Sequence, residues 1–232
     1  MSADLKYWYL RDHQLFRNLS FSEINGLCIL KKFKKSKKSE ILDLPYSEKE
    51  RVYFLKKGTI KLIKINESDE EILIDIIQKN DLFGELNLDD NAENEAFFKV
   101  VSDEAIICTF FKENLESVML QKPVFALNYI KFIGFNVKRI QNSYKNILFK
   151  SAKSRLLLLL DEIIMKADIL DNQFELPNYL TQKDIAQLIC TTRQTIINLF
   201  HELESEGLIH YSQKSIILTD IAKFKNLVQN VK

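Results

Sequence analysis

The sequence predicts an α+β fold in which a small β-roll, one long helix and an α-rich C-terminal domain follow one another. Short alternating apolar runs separated by turns fill residues 31 to 112, which is typical of a roll or barrel. An uninterrupted helical pattern follows Pro123, and two capped amphipathic segments begin at Thr181. The predicted domains are therefore 1–121, 122–149 and 150–232.

Composition is that of a globular protein and disfavours several kinds of site. The 232 residues are 46% hydrophobic and 28% charged, and 33 Lys or Arg nearly balance 32 Asp or Glu. Any attraction for a polyanion must therefore come from a local patch. No long apolar run or signal-peptide pattern is present, so we expect the protein to stay in the cytoplasm. Cys28, Cys108 and Cys190 form no Cys-x-x-Cys pair, and we expect no disulfide framework, metal or other cofactor.

The N-terminal part is predicted to form a helical lead-in and then the roll. Residues 5 to 30 carry apolar side chains at helical spacing. The run KKFKKSKK at 31–38 is interpreted as an edge strand protected by lysines, not as a nucleic-acid site. Alternating apolar residues separated by turns predict further strands at 52–55, 59–65, 71–77, 97–101 and 105–111.

Residues 123–149 are predicted to form a helix that pairs with the same helix of a second copy. Phe125, Phe132 and Phe135 supply one apolar stripe for packing on the roll. A second stripe steps by three or four residues, as in a coiled-coil seam. The predicted dimer interface is Tyr129, Ile133, Val137, Ile140, Tyr144 and Ile147. The segment Phe149–Ser154 that follows is the predicted hinge.

Residues 181 to 218 are predicted to form a helix-turn-helix followed by a hairpin. Thr181 with Asp184 three residues later is typical of a capping box, and Thr191 or Thr192 can cap a second helix. Gly207 can end that helix, and the hairpin of residues 208–218 would make the motif a winged helix-turn-helix. The predicted buried face of the second helix is Ile196, Leu199, Phe200 and Leu203.

The outward face of the second helix carries the hydrogen-bonding groups that read DNA bases. Arginine can hold guanine through two bonds, and Gln or Asn can hold adenine in the same way. Hydroxyls and lysines near the helix starts can contact phosphates, and Lys153 is a further candidate for this role. The predicted DNA-binding residues are Thr181, Lys183, Thr192, Arg193, Gln194, Ile197, Asn198, His201 and Lys214. The alternative is a capped helical hairpin with an ordinary polar face.

A roll, a long helix and a winged helix-turn-helix in this order resemble the Crp/Fnr family, named for the cyclic-AMP receptor protein and the fumarate–nitrate reduction regulator. Three segments carry the resemblance: YFLKKGTIKLIKI and DLFGEL in the roll, and TQKDIAQLICTTRQTIINLFHELESEGLI in the C-terminal domain. It covers the chain from about Leu15 to Leu218. The resemblance implies a cyclic-nucleotide-binding-like roll and a dimeric bacterial transcription regulator that binds near-palindromic operators and contacts RNA polymerase.

The chain departs from the nucleotide-binding members of that family. In them an Arg-Ser or Arg-Thr pair after Gly-Glu-Leu holds the phosphate, and hydroxyl side chains of the long helix touch the base. Here Glu95 and Ala96 stand in place of the pair, and a carboxylate repels a phosphate. We therefore expect a vestigial pocket, formed by Gly84, Glu85, Leu86, Glu95, Ala96, Ile140 and Gln141.

The sequence thus predicts a dimeric DNA-binding regulator that is not an enzyme and does not depend on a cyclic nucleotide. Control by an unidentified small ligand, or by oxidation of Cys190 in the turn of the motif, stays open. So does a protein-interaction module, because residues 151–232 hold nine Lys or Arg against ten Asp or Glu. An enzyme with a cupin-like barrel is disfavoured, since His13 is the only histidine before His201.

Overall fold

The computed structural model describes residues 10–27, 34–42, 51–84, 96–166, 175–212 and 215–231. The chain divides into two compact units, residues 1–139 and 140–232. The helices are α1 (Phe21–Leu27), α2 (Lys112–Gln121), α3 (Pro123–Phe149), α4 (Ala152–Lys166), α5 (Gln182–Leu188), α6 (Arg193–Ser205) and α7 (Ile221–Val231). The strands are β1 (Lys34–Lys37), β2 (Ile41–Leu42), β3 (Arg51–Lys57), β4 (Ile60–Ile65), β5 (Glu71–Ile77), β6 (Leu82–Gly84), β7 (Ala96–Val100), β8 (Glu104–Phe111), β9 (Glu175–Pro177), β10 (Ile209–Tyr211) and β11 (Ser215–Leu218).

Two antiparallel four-stranded sheets form the roll, in the orders β1-β8-β3-β6 and β2-β7-β4-β5. The five strands predicted at 52–55, 59–65, 71–77, 97–101 and 105–111 are confirmed with end shifts of a residue or two. Strand β3 is apolar without alternation because both of its faces are covered. Val52 and Phe54 face a core shared with the N-terminal helices, and Tyr53 and Leu55 face the interior of the roll.

Strand β1 lies at the edge of its sheet, as predicted for the lysine run. Lys35 lies 3.5 Å from a carboxylate oxygen of Glu104, and Lys38 lies 3.8 Å from one of Asp103. Exposed lysines on an edge strand oppose pairing with another chain.

The turn between β3 and β4 depends on Gly58. Its φ is +98°, and a Cβ at this position would lie 2.4 Å from the carbonyl oxygen of Glu104. Only a residue without a side chain fits there, so β8 can pass directly beneath the turn.

Helix α2 was not predicted, and it completes the core of the N-terminal unit. Leu115 of α2 and Phe125 of α3 are buried together with Leu15, Phe16 and the α1 residues Ile24 and Leu27. Lys122, between α2 and α3, lies 2.9 Å from Glu23 of α1. The helices before and after the roll thereby form one layer over its outer face.

The long helix α3 has the predicted bounds, but its roll-facing stripe differs from the prediction. Phe125 is buried, and Phe132 is half-buried with its ring 5.9 Å from that of His13. Phe135 is 68% exposed, so its assignment to this stripe was wrong. Tyr129 packs against the N-terminal core instead. Residues 125, 129 and 132 share one helix face, whereas residue 135 has turned away from it.

The C-terminal unit packs helices α4 to α7 around one core and against a small sheet. Leu156 and Leu160 of α4 and Phe224 of α7 are buried with the apolar faces of α5 and α6. The sheet has the order β10-β11-β9. The hairpin β10–β11 confirms the predicted wing, whereas β9 was not predicted.

Candidate nucleic-acid interface

The helix α5 begins with the predicted capping box. The Asp184 amide donates to Thr181 Oγ1 at 3.2 Å, and the Thr181 amide donates to Asp184 Oδ2 at 2.6 Å. Thr181 Oγ1 also donates to the same carboxylate oxygen at 2.6 Å. The Thr181 hydroxyl therefore already serves the helix start, and Lys183 beside it is exposed.

The turn between α5 and α6 is tight and includes a strained residue. Cys190 has φ +52°, a region that side chains other than glycine seldom adopt. Its amide donates to the carbonyl of Gln187 at 3.2 Å, and the Thr191 amide donates to that of Ala186 at 2.9 Å. The Cys190 thiol is exposed.

The second helix, α6, starts at the predicted cap and buries the predicted face. Thr192 Oγ1 accepts a hydrogen bond from the Thr195 amide at 3.1 Å. The residues that it buries are Ile196, Leu199, Phe200 and Leu203. Because this face is fixed in the core, the opposite face of α6 must point to solvent.

The solvent face of α6 presents the polar side chains predicted to contact DNA. Arg193, Gln194, Asn198 and His201 are exposed, and Ile197 is half-buried. Gln194 Nε2 donates to Asn198 Oδ1 at 3.1 Å, which orients two amide groups one turn apart. Among the described residues, no carboxylate forms a salt bridge with Arg193, so its guanidinium is available to an external acceptor.

The far end of α6 is acidic, and two cations of the same unit compensate it. Lys153 Nζ donates to carboxylate oxygens of Glu206 at 2.7 Å and Glu202 at 2.9 Å, and these bonds raise the pKa of Lys153. Lys223 Nζ donates to the Glu206 carbonyl at 2.8 Å. The predicted phosphate contact of Lys153 is therefore not favoured, because its ammonium group is engaged within the domain.

The wing is anchored to α6 by a stacked aromatic pair. The rings of Phe200 and Tyr211 have centroids 4.1 Å apart and an interplanar angle of 19°. The Tyr211 amide donates to Glu204 Oε1 at 2.9 Å, and His210 Nδ1 lies 3.2 Å from the same oxygen. Lys214, predicted to contact DNA, lies outside the described residues.

The predicted vestigial pocket is described only in part. Gly84 ends β6 with φ +106°, and a Cβ there would lie 2.6 Å from the Arg51 carbonyl oxygen, so glycine is required. Ala96 begins β7. Ile140 and Gln141 are exposed on α3. The other predicted members lie outside the described residues: Glu85, Leu86 and Glu95.

The interior of the roll close to Gly84 is occupied by aromatic side chains. The ring of Tyr53 stacks on that of Phe83 with centroids 5.3 Å apart, and Phe83 lies 4.9 Å from Phe98.

Within the part of the chain that the structure describes, no group of three His, Cys, Asp or Glu could hold a metal ion.

Most of the predicted dimer stripe is exposed on α3. The exposed members are Ile133, Val137, Ile140, Tyr144 and Ile147. Tyr129 differs, because it packs on the N-terminal core, and burial raises its pKa. Ile130, which is 64% exposed, continues the stripe in its place. Ile130 also lies at seam spacing from Ile133 and Val137, so the sequence pattern itself places it on this stripe.

Among the helices that the structure describes, none combines the length and the apolar character that a membrane span needs.

Two family descriptions match consecutive parts of the chain. Residues 36–122 match the cyclic nucleotide-binding domain, and residues 154–227 match the Crp-like helix-turn-helix domain. The chain is 25% identical over 183 residues to the global nitrogen regulator of Synechocystis sp., covering 77% of this chain and 80% of that protein. It is 20% identical over 172 residues to the CRP-like cAMP-activated global transcriptional regulator of Mycobacterium tuberculosis. That match covers 74% of this chain and 76% of that protein.

Solved structures share the fold over most of the chain. FixK2 from Bradyrhizobium japonicum is similar with a TM-score of 0.67 and 16% identity, over 84% of this chain and 96% of that one. A CooA mutant from Carboxydothermus hydrogenoformans is similar with a TM-score of 0.63 and 22% identity, over 91% of both chains. These likenesses show the fold of the chain.

Proposed function

Because the chain belongs to the Crp/Fnr family of transcription regulators, we propose that it is a homodimer that reads a near-palindromic DNA operator. The solvent face of α6 carries this proposal, since Arg193, Gln194 and Asn198 are exposed together on a capped helix. One such helix makes too few contacts for tight binding, whereas two copies about 34 Å apart read two half-sites. As a bacterial regulator it would act in the cytoplasm and contact RNA polymerase.

The residues of α6 divide into base-reading and backbone-positioning groups. Arg193 and Gln194 suit base edges of the major groove, and Asn198 follows one turn later. Thr192 lies at the helix start, where the amide groups and the helix dipole favour a phosphate. Lys183, at the start of α5, suits a second phosphate. The proposed DNA-binding surface also includes Thr181, Ile197, His201 and Lys214.

Replacement of Arg193 tests the base-reading role. Arg193→Ala should cost about 1–3 kcal/mol of operator binding and relax preference at one base pair per half-site, because the bidentate contact to guanine is lost. The measurement is a gel-shift titration against operator variants selected from random sequence. Arg139→Ala on α3 is a matched control that should leave base preference unchanged. Equal binding of operator and random DNA by the wild type would exclude sequence-specific recognition.

A protein-interaction module is the second candidate, because the charge of residues 151–232 is close to neutral. Phosphate contacts release counterions, so DNA binding must weaken steeply as salt rises. A protein-interaction module that does not bind DNA would give no gel shift with any DNA at any salt concentration. Salt-dependent gel shifts therefore separate the two functions.

We further propose that DNA binding does not require a cyclic nucleotide. Glu95 and Ala96 stand where nucleotide-binding relatives carry the phosphate-holding pair, and Tyr53, Phe83 and Phe98 occupy the roll next to Gly84. Calorimetric titration with cyclic AMP and cyclic GMP should show no binding at micromolar concentration. Micromolar affinity would contradict the proposal.

Two other means of control remain as alternatives. A small ligand of another class would change DNA affinity only if it bound the two states of the protein differently. Oxidation of the exposed Cys190 thiol could block binding, because this residue adjoins the start of α6. Loss of operator binding in peroxide that persists in Cys190→Ser would exclude the thiol mechanism.

A further inference from the structure

Arg155, in the first turn of α4, joins the end of the preceding segment to the turn of the helix-turn-helix. Its NH1 group donates to the Lys150 carbonyl at 2.6 Å, and Nε donates to the Ile189 carbonyl at 2.8 Å. NH2 donates to the Cys190 carbonyl at 3.3 Å. One planar cation thus binds three backbone carbonyls from parts of the chain that are far apart in sequence.

Two of these carbonyls need a donor of this kind because they lie at helix ends. Ile189 is the C-cap of α5, and Lys150 directly follows the last residue of α3. Carbonyls at a helix C-terminus lack partners within the helix and carry the negative end of its dipole. A guanidinium donates in several fixed directions at once, whereas an ammonium group is a single point of charge. The geometry therefore calls for arginine and not for any cation.

The turn that Arg155 holds is the strained one. Cys190 has φ +52°, which its Cβ disfavours, and α6 begins three residues later at Arg193. A residue keeps such a conformation only when its surroundings hold it there. The direction in which α6 leaves the turn therefore depends on the contacts that hold Cys190.

Two lysines close to Arg155 bind the helices α6 and α7. Lys153 Nζ bonds to Glu202 and Glu206 near the end of α6. The side chain of Lys150 donates to the carbonyl of Val231 at the end of α7. Residues 150–155 are thereby fastened to α5, α6 and α7, all within the C-terminal unit.

We propose that Arg155 is a positioning residue for DNA recognition, which sets the orientation of α6 by holding the turn before it. This proposal rests on the function proposed above. It bears on the predicted hinge at Phe149–Ser154, because the side chains of Lys150 and Lys153 bond to α7 and α6. The Lys150 amide also donates to the Asn146 carbonyl of α3 at 3.0 Å.

Arg155→Lys and Arg155→Met test this role when their binding to operator and to random DNA is compared with that of the wild type. Both variants should lose about tenfold or more in operator affinity, because the hydrogen bonds of the guanidinium to three backbone carbonyls are lost. Their affinity for random DNA should stay within about threefold, since that binding depends on phosphate contacts elsewhere. Equal losses on both DNAs, or wild-type behaviour of Arg155→Lys, would contradict the proposal.

A second change keeps the test decisive if Arg155→Met does not fold. Cys190→Gly removes the conflict between the Cβ and the positive φ, so it should restore part of the operator affinity to Arg155→Lys. Cys190→Ala keeps the Cβ and should restore none. Restoration by both or by neither would show that the strained turn is not what Arg155 holds.

Amide hydrogen exchange separates a failure of this proposal from a failure of the proposed function. Exchange of residues 190–195 should be faster in Arg155→Lys than in the wild type without any DNA present. If the wild type does not distinguish operator from random DNA, the proposed function fails. Exchange unchanged at these amides would instead show that Arg155 does not hold the turn.

Discussion

His13 is a half-buried histidine whose surroundings keep it neutral. Its ring lies 5.2 Å from that of Phe54 and 5.7 Å from that of Phe16, and Nδ1 accepts a hydrogen bond from the Leu15 amide at 3.3 Å. Burial among these rings lowers the pKa of His13 from 6.5 to about 4. The imidazole thus serves as a packing group with one hydrogen-bond acceptor, and its protonation would be costly.

Folding stability should therefore fall as the pH drops from 6.5 towards 4. Above pH 6.5, His13 is neutral in both the folded and the unfolded chain. Between pH 6.5 and pH 4, it binds a proton in the unfolded chain but not in the folded one. The free energy of unfolding should decrease by about 1 kcal/mol per pH unit near pH 5 because of this residue. Urea unfolding at pH 7 and pH 5 measures the decrease, which His13→Leu should abolish.

Leu15→Ala is a control for this prediction, because it removes a side chain from the same core without removing a titratable group. It should lower the free energy of unfolding at both pH values and leave the pH dependence as in the wild type. Glu23 does not interfere: hydrogen bonds from the Ser20 backbone and then from Lys122 lower its pKa to about 2, so its contribution is lost only below pH 4.5. A decrease that persists in His13→Leu would assign the effect to other groups.

At the scale of a single element, the long helix α3 exposes more apolar surface than a helix in water normally does. Ile130, Ile140 and Tyr144 are each more than 60% exposed, and they lie on one face with Val137 and Ile147. Spacings of three and four residues keep these side chains in line along the helix. A second copy of α3 would cover this stripe and bury it.

Ile140→Glu should convert the proposed dimer into a monomer, because two carboxylates would then face each other in an apolar seam. Light scattering after size-exclusion chromatography measures the mass at micromolar concentration. Phe135→Glu is the matched control: Phe135 is also exposed, but it lies about 140° around the helix from Ile140. Dissociation of both variants, or of neither, would contradict the assigned seam.

For the whole molecule, charge distribution decides how strongly DNA can be held. The net charge is only +1, and Lys153 is engaged by carboxylates of α6. Since acidic residues nearly balance the basic ones, each cation that does contact a phosphate should contribute measurably to the salt dependence. Lys183 is the exposed lysine at the start of α5.

Lys183→Gln should reduce the slope of log K against log salt concentration by about 1 for each subunit. It should weaken operator and random DNA alike, because a phosphate contact carries no sequence information. Gel shifts between low and high salt measure the slope. Lys225→Gln on α7 should leave it unchanged, and an equal change in both variants would exclude a specific phosphate contact at Lys183.

Much of the fold could be predicted because its signals are local. The strands of the roll follow from alternation, and the caps at Thr181 and Thr192 follow from side chains that bond within three residues. Helix α2 and strand β9 were missed: α2 has only a weak apolar stripe, and β9 is three residues long and defined by its pairing with β11.

The sequence by itself determined the order of the elements, the buried face of α6 and the polar face opposite it, because neighbours within one or two turns set these features. Only the tertiary structure decided which charged side chains form hydrogen bonds or salt bridges within the protein. Lys153 meets Glu206 across 53 residues of sequence, and Arg155 meets Ile189 across 34. Such pairs depend on the path of the whole chain, and no local period or cap encodes that path.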